Sequence, residues 1–512
     1  MERFLKRHKD RLIGSIAGSD RLLFRGLLLS ICHVKGLNYF MGNQRVPFKG
    51  FAAFVEKFSV GVKARAQRIA ARAGRPFVYV ASPQADKEKL AREIAERDGI
   101  EKGLICVLSC VEPCPSFSIR RDREQRQLQL VGRHRQCLHL YFYLLDRDFG
   151  LMHLRLQTWL PLTLQVCING REWLAHQMQR AGIDYEQKDN CFTRIADLAA
   201  AQRLMDRLVE LPWAKLLNRW AQWVNPWLGP RARPRLRGYY WTLRQGEYAT
   251  DVMFRSPEAL AEVYPQLCRH AIEQFSSPQV LRFLGRRTNT RFNGEVCSRL
   301  ERRREGVCVK HRVEENSIKM YDKQGSVLRV ETTLNDPRRF KVYRRVRRQG
   351  RRVKGWYALR KGIVDLRRRM ELSRAANARY LEALAVVGEE RPSHRILDPV
   401  SRPLHEPRRY RALRPISPEE SRGFSVLLRG ELQLQGVRNR DLRQELAPEA
   451  DGDPQRRPQA TARVTRYLAL LRAHGLIYRV GRTYYYRPTQ KGYEVMSTAL
   501  KFRRTDFALL AA

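Results

Sequence analysis

The order of periodicities in residues 416–505 is the strongest constraint on the fold. An amphipathic helix pattern covers 417–429, and a second runs from Asn439 to Glu445 after the turn Gln435-Gly436. A polar insert, Pro448 to Pro458, precedes a third helix from Ala460 to His474. There Val464, Leu468 and Leu471 share one face with Leu470 beside it, Arg463, Arg466 and Arg472 take the other sides, and Gly475 ends the helix. Leu476–Val480 and Thr483–Arg487, joined at Gly481-Arg482, read as a hairpin with a cationic tip. A closing helix starts near Gln490.

This order, with the runs Leu471-Arg-Ala-His-Gly-Leu-Ile477 and Tyr486-Arg-Pro-Thr-Gln-Lys-Gly492, resembles the winged helix-turn-helix domains of bacterial regulators and mobile-element proteins. The resemblance implies a third helix in the major groove and a hairpin on the backbone or in the minor groove. Arg463, Arg466, Arg472 and Arg482 would then be nucleic-acid contacts.

Charge points the same way. The chain has 98 Lys+Arg against 52 Asp+Glu, a formal +46. With 43 % hydrophobic residues it can bury a core, which argues against wholesale disorder. Such an excess repels itself unless an anionic partner neutralises it. Fifteen Lys/Arg and one acid, Asp365, lie between Arg338 and Arg369. Arg344, Arg345, Arg347, Arg348, Arg351, Arg352 and Lys354 are expected to meet phosphates and to make binding steeply salt-dependent. Phe340, Tyr343, Trp356 and Tyr357 interleave with them, either to stack on unpaired bases or to pack inward. A membrane partner is disfavoured, because the apolar run Leu22–Ile31 is short and broken by Arg25. Ten cysteines without disulfide-scaffold spacing fit a cytoplasmic location.

A third pattern bears on chemistry. Ser317–Lys323 and Leu328–Glu331 read as two strands joined by a Gly turn, with Lys319, Tyr321 and Lys323 on one face of the first and Arg329 and Glu331 sharing a face of the second. Tyr-x-Lys, turn, Arg-x-Glu resembles the hairpin of phage and plasmid replication initiators, which nick DNA with a tyrosine and a metal-held carboxylate. The resemblance implies site roles for Tyr321, Lys323, Arg329 and Glu331, with Glu331 on Mg2+ or Mn2+ and Lys323 facing a phosphate. The paired-histidine motif of many such initiators is missing, and spacing singles out no nucleophilic tyrosine. The plain alternative is a hairpin held by an Arg–Glu pair. Metal-dependent hydrolysis needs further carboxylates; Glu247 and Asp251, at helical i,i+4 spacing, and Asp322 are the candidates. Cys110, Cys114, Cys137 and His139 form a candidate set for structural Zn2+, or ordinary core. Trp213, Trp220 and Trp227 read as a helix-packing stripe. No Gly-x4-Gly-Lys-Ser/Thr loop is present.

The expected fold is α+β and multidomain. Residues 1–75 read as a basic helical region, 76–185 as an antiparallel-sheet α+β domain, and 186–240 as a helical region with the Trp stripe and a basic linker. Residues 241–388 read as a basic α+β centre with a long helix over about 358–387, 389–415 as a linker, and 416–505 as the winged helix. The leading functional expectation is a nucleic-acid-binding protein of a mobile or replicating element, with DNA favoured over RNA, able to nick or process its substrate with a metal. An architectural or ribonucleoprotein component and a transcriptional regulator are the alternatives. Oligomeric state leaves no mark in the sequence.

Overall fold

A computed structural model describes residues 1–505 apart from 123, 125, 287–291, 293, 304–305, 349, 388–392, 406–407, 430–431, 433–435 and 451. The expected turn residue Gln435 and the side chain of Arg348 therefore lie outside the described residues. The chain is α+β and forms two compact units, one of His8–Leu260 with Glu315–Ala378, the other of Met1–Arg7, Ala261–Glu314 and Arg379–Ala512.

In chain order the strands are β1 (Leu12–Leu27), β2 (Phe77–Tyr79), β3 (Gly103–Arg121), β4 (Leu128–Asp146), β5 (Gly150–Gln157) and β6 (Leu164–Asn169). Next come β7 (Tyr185–Lys188), β8 (Cys191–Ile195), β9 (Tyr240–Phe254), β10 (Val296–Arg303), β11 (Gly306–Val313) and β12 (Asn316–Lys323). The last are β13 (Val327–Leu334), β14 (Lys341–Arg348), β15 (Arg351–Ala358), β16 (Ile477–Arg479) and β17 (Tyr486–Pro488).

In the first unit, nine strands form one sheet in the order β12-β13-β9-β1-β6-β5-β4-β3-β2. Every pairing from β13 through β3 is antiparallel, and only the short β2 joins β3 in parallel. β9, from the expected central domain, thus pairs directly with β1 from the start of the chain, and β13 joins the same sheet on the far side of β9. Residues 1–75 are mostly helical as expected, with one long strand among the helices. Leu12–Leu27 is a strand whose apolar positions Ile16, Leu22 and Phe24 are buried, and helices cover Val34–Asn43 and Phe51–Arg72. Burial alternates with period 2 from Leu22 to Leu27, and β6 and β9 flank the strand on both sides.

Helices pack on this sheet through a core that includes Phe24, Phe58, Phe142, Leu154, Val166 and Trp173. Helix Gly170–Arg180 begins where Asn169 Oδ1 accepts from the backbone N–H of Arg171 at 2.8 Å. A Cβ on Gly170 would lie 1.9 Å from the carbonyl oxygen of Ser19, so only glycine lets this helix start against β1. Helix Trp213–Val224 buries Trp213, Leu217, Trp220 and Val224 along one stripe, but it stops before Pro226, so Trp227 falls outside the expected helical stripe. The expected helix over 358–387 is shorter, Leu366–Leu384, because Arg351–Ala358 pairs with β14.

In the second unit, helices Pro418–Leu427, Asn439–Leu446 and Arg456–Ala473 are followed by the β16–β17 hairpin and helix Gln490–Arg504. Ser417 and Thr489 cap the first and last of these through their side-chain oxygens. Phe424, Leu442, Val464, Leu468, Leu471 and Met496 share one core. The third helix starts four positions before the expected Ala460, since Asp453 accepts from the backbone N–H groups of Gln455 and Arg456. No helix among the described residues is long and apolar enough to cross a membrane.

Candidate functional site

Three adjacent strands bring three carboxylates together. Asp20 on β1, Glu247 on β9 and Glu331 on β13 each offer an oxygen, all within 4.8 Å of one another. The register explains how. Glu331 faces Ala249 and Thr333 faces Glu247 across β13–β9, so Glu331 and Glu247 project from one side of the sheet. On β1, the pairing shifts between Ser19/Tyr248 and Leu22/Gly246, leaving Asp20 and Arg21 opposite Glu247 alone. Such a bulge re-aims a side chain, and here it serves Asp20.

Cations hold the cluster. Arg329 reaches Asp20 at 3.0 Å and grips Asp251 with two bonds of 2.6 and 2.9 Å. Arg171, from the first turn of its helix, meets Asp251 at 3.0 Å. Asn190 donates to Asp20 at 2.8 Å, and its carbonyl accepts from Arg329 at 2.6 Å. Lys319 pairs with Glu331 at 2.8 Å, and the Tyr321 hydroxyl donates to the other Glu331 oxygen at 3.0 Å.

Burial and charge set the protonation. Burial pushes the Glu331 carboxyl up to about 7, with Lys319 opposing and Glu247 and Asp20 adding to the rise. Burial would also raise Asp251, but Arg171 and Arg329 outweigh it and hold that carboxyl below the usual range. Burial, then the Glu331 charge, drives the Tyr321 phenol upward, so it serves as a hydrogen-bond donor and not as a phenolate.

The expected residues are therefore sorted by the fold. Tyr321, Glu331 and Glu247 converge. Asp251 does not join the carboxylate set, because Arg329 and Arg171 occupy both of its oxygens. Glu247 and Asp251 lie on a strand, not a helix, and i,i+4 keeps them on one face for that reason instead. Lys323 pairs with Asp189 at 2.6 Å, so no phosphate is needed to neutralise it. Asp322 alternates onto the opposite face of β12. Asp20, Arg171 and Asn190 were invisible to motif reading. The one signal was an acid inside an apolar strand, legible only once 12–27 is known to be extended.

The zinc set does not assemble. Cys110 faces His139 and Cys114 faces Arg135 across β3–β4, while Cys137 faces Glu112. Asp20, Glu247 and Glu331 are the only three or more potential ligands that converge among the described residues. His139 Nδ1–H donates to the Cys137 carbonyl at 3.0 Å, and burial pushes this imidazole down to about 4. Between the would-be ligands sits Glu112, satisfied by Tyr141 at 2.7 Å, Arg155 at 2.5 Å and Lys87 at 3.1 Å. The sulfurs belong to a buried ionic and apolar seam.

The cationic candidates also divide. Arg345, Arg347, Arg351, Arg352 and Lys354 on β14–β15 are exposed, as are Arg463, Arg466, Arg472 and Arg482 in the second unit. Arg344 is instead bound to Asp365 at 2.8 Å. No family model, curated protein or solved structure matches this chain, so the geometry of its sites is what carries a functional reading.

Proposed function

We propose that this chain is a nucleic-acid-binding protein of a mobile or replicating element, favouring DNA, that cleaves a phosphodiester with a divalent metal at Asp20, Glu247 and Glu331. The convergence of three carboxylates from three neighbouring strands is the observation that carries the reading. An all-oxygen, all-carboxylate set suits Mg2+ or Mn2+ better than a softer ion. Glu331 Oε1 has no hydrogen-bond donor of its own beyond the Lys319 ion pair, which leaves it a lone pair to offer. Bound there, the cation supplies Lewis-acid activation of a phosphodiester.

The chain's own residues prepare that place. Arg329 and Asn190 fix Asp20, and Tyr321 fixes one oxygen of Glu331. The exposed arginines of β14–β15 hold the anionic substrate by charge. We read the second unit's helix, helix, helix, hairpin, helix order as a winged helix, with Arg463, Arg466, Arg472 and Arg482 directed at duplex.

A second, non-enzymatic reading has one observation in its favour. Asp20 and Glu331 are only 4 % and 2 % exposed, which shields them from a bulky substrate. The two separate on incubation of the full chain with labelled single-stranded, duplex and forked DNA in Mg2+ or Mn2+. Cleavage abolished by Glu331→Gln, with binding intact, supports the enzyme. Absence of product on every substrate overturns it and leaves an architectural binder.

A further inference from the structure

The β14–β15 hairpin carries its charge and its aromatics unevenly. The ladder opposes Tyr343 to Trp356, Arg345 to Lys354 and Arg347 to Arg352. Directly opposed residues of an antiparallel pair project on the same side. One face therefore presents Lys341, then the two rings, then two cation pairs toward the tip, with no carboxylate among them. All of these side chains are exposed, Tyr343 at 57 % and Trp356 at 60 %.

The other face is turned inward toward its base, while Val353 near the tip stays 46 % exposed. Val342, Val346 and Tyr357 are half-buried there, and Arg344 is tied to Asp365 and to the Ala358 carbonyl at 3.1 Å. Phe340, just before β14, is buried. So of the four aromatics interleaved with the charge run, two are packed and two are displayed.

Nothing among the described residues explains the displayed face. Like charges directly opposed weaken a ladder, and Arg345–Lys354 and Arg347–Arg352 are two such pairs in succession. Tyr343 and Trp356 have ring centroids 5.5 Å apart and planes tilted by 57°, so they do not stack flat on each other. Despite the arginines nearby, no described cation sits over either ring. An anion with flat apolar rings would satisfy both anomalies.

We infer that this face is a platform for single-stranded nucleic acid. Bases stack on Tyr343 and Trp356, and the following phosphates run past Arg345, Lys354, Arg347 and Arg352. Duplex does not fit as well, because its base faces are hidden except at the ends. The inference rests on the nucleic-acid reading above, but not on the metal cluster or on cleavage.

The test uses the full chain in EDTA, so that no metal chemistry contributes. Binding of fluorescein-labelled oligo(dT), oligo(rU) and duplex of equal length is followed by anisotropy. Tyr343→Ala/Trp356→Ala is expected to weaken oligo(dT), oligo(rU) or both by at least about tenfold, with duplex affinity nearly unchanged. Arg345→Gln/Arg347→Gln should flatten the salt dependence on the single strand by roughly 1.4 in log–log slope. Oligonucleotide-induced quenching of tryptophan emission should shrink in Trp356→Phe, which leaves a ring but removes that indole. Unchanged oligonucleotide affinity in Tyr343→Ala/Trp356→Ala, or equal losses on single strand and duplex, overturns the platform. Failure of the unaltered chain to bind any of the three probes overturns the wider reading along with it.

Discussion

Arg329 and Asp251 are register partners across β13–β9 and also a two-point ion pair, Nε to Oδ1 at 2.6 Å and Nη2 to Oδ2 at 2.9 Å. Arg329 is 1 % exposed and Asp251 is fully buried, so neither charge has water to fall back on. Removing one partner of such a pair costs about 3–5 kcal/mol. Arg329→Met is expected to lose about that much in urea denaturation. Arg329→Lys should fall in between, because an ammonium cannot span both Asp251 oxygens while also reaching Asp20.

Gly170 offers a second probe of the same region. A methyl there would press on the Ser19 carbonyl, one residue before Asp20, and backbone cannot swing aside as a side chain can. Gly170→Ala should lower Tm, with a cost of about 1–3 kcal/mol typical of overpacking. Under the proposed function it should also weaken Mn2+ binding, read by calorimetry, although it adds and removes no ligand.

Arg344 and Arg345 are neighbours in sequence with opposite expected phenotypes. Arg344→Ala breaks the pair with Asp365 and should cost about 1–3 kcal/mol of stability. Arg345→Ala should leave stability within about 0.5 kcal/mol and reduce the salt slope of nucleic-acid binding. Chemical denaturation and anisotropy titrations on the two variants decide it, and the reverse assignment would show that the hairpin has been faced the wrong way.

Acid sensitivity has a defined contributor in the second unit. His311 sits between the Ser298 hydroxyl at 2.8 Å and the Tyr380 hydroxyl at 3.1 Å, and burial pushes its imidazole down to about 4. Its folded value lies below its unfolded one, so the unfolded chain takes up the proton first. The stabilisation is complete above about pH 6.5 and drains away as the pH falls toward 4. His311→Gln keeps a polar group between the two hydroxyls and removes the titration. Its Tm should fall less than that of the unaltered chain between pH 7 and pH 5, against a background slope shared with His139, His153 and His270. Equal falls would exclude His311.

For the second unit, Arg463→Ala/Arg466→Ala is expected to weaken duplex binding and spare oligo(dT). Loss on oligo(dT) alone would move the duplex contacts elsewhere.

How much of this was legible in the sequence depended on the range of the interaction. The hairpin Ser317–Glu331 announced its own register, since Gln324 and Gly325, both at positive φ, turn it within a few residues. Helices in 416–505 were likewise local, carried by caps and stripes. Asp20 was not legible, because its meaning depends on a bulge and on two strands that lie far along the chain. Cys110 and His139 were read as ligands from spacing, and do face each other across the ladder. The side chain beside them, Glu112 opposite Cys137, could not be placed without knowing that Arg155 and Lys87 arrive there.

The bond from Arg329 to Asp20 spans 309 residues of sequence. At a synthesis rate of about 5–20 residues per second, Asp20 waits roughly 15 to 60 s for the strand that neutralises it. Asp251 joins it for only the last 78 residues of that interval, with Arg171 already made. A ribosome-stalled or truncated chain ending before β13 therefore lacks both Arg329 and the third carboxylate, and offers proteases an open sheet edge. Under the proposed function, the three-carboxylate cluster would be complete only on a chain made well past its middle, and an unfinished product would lack it.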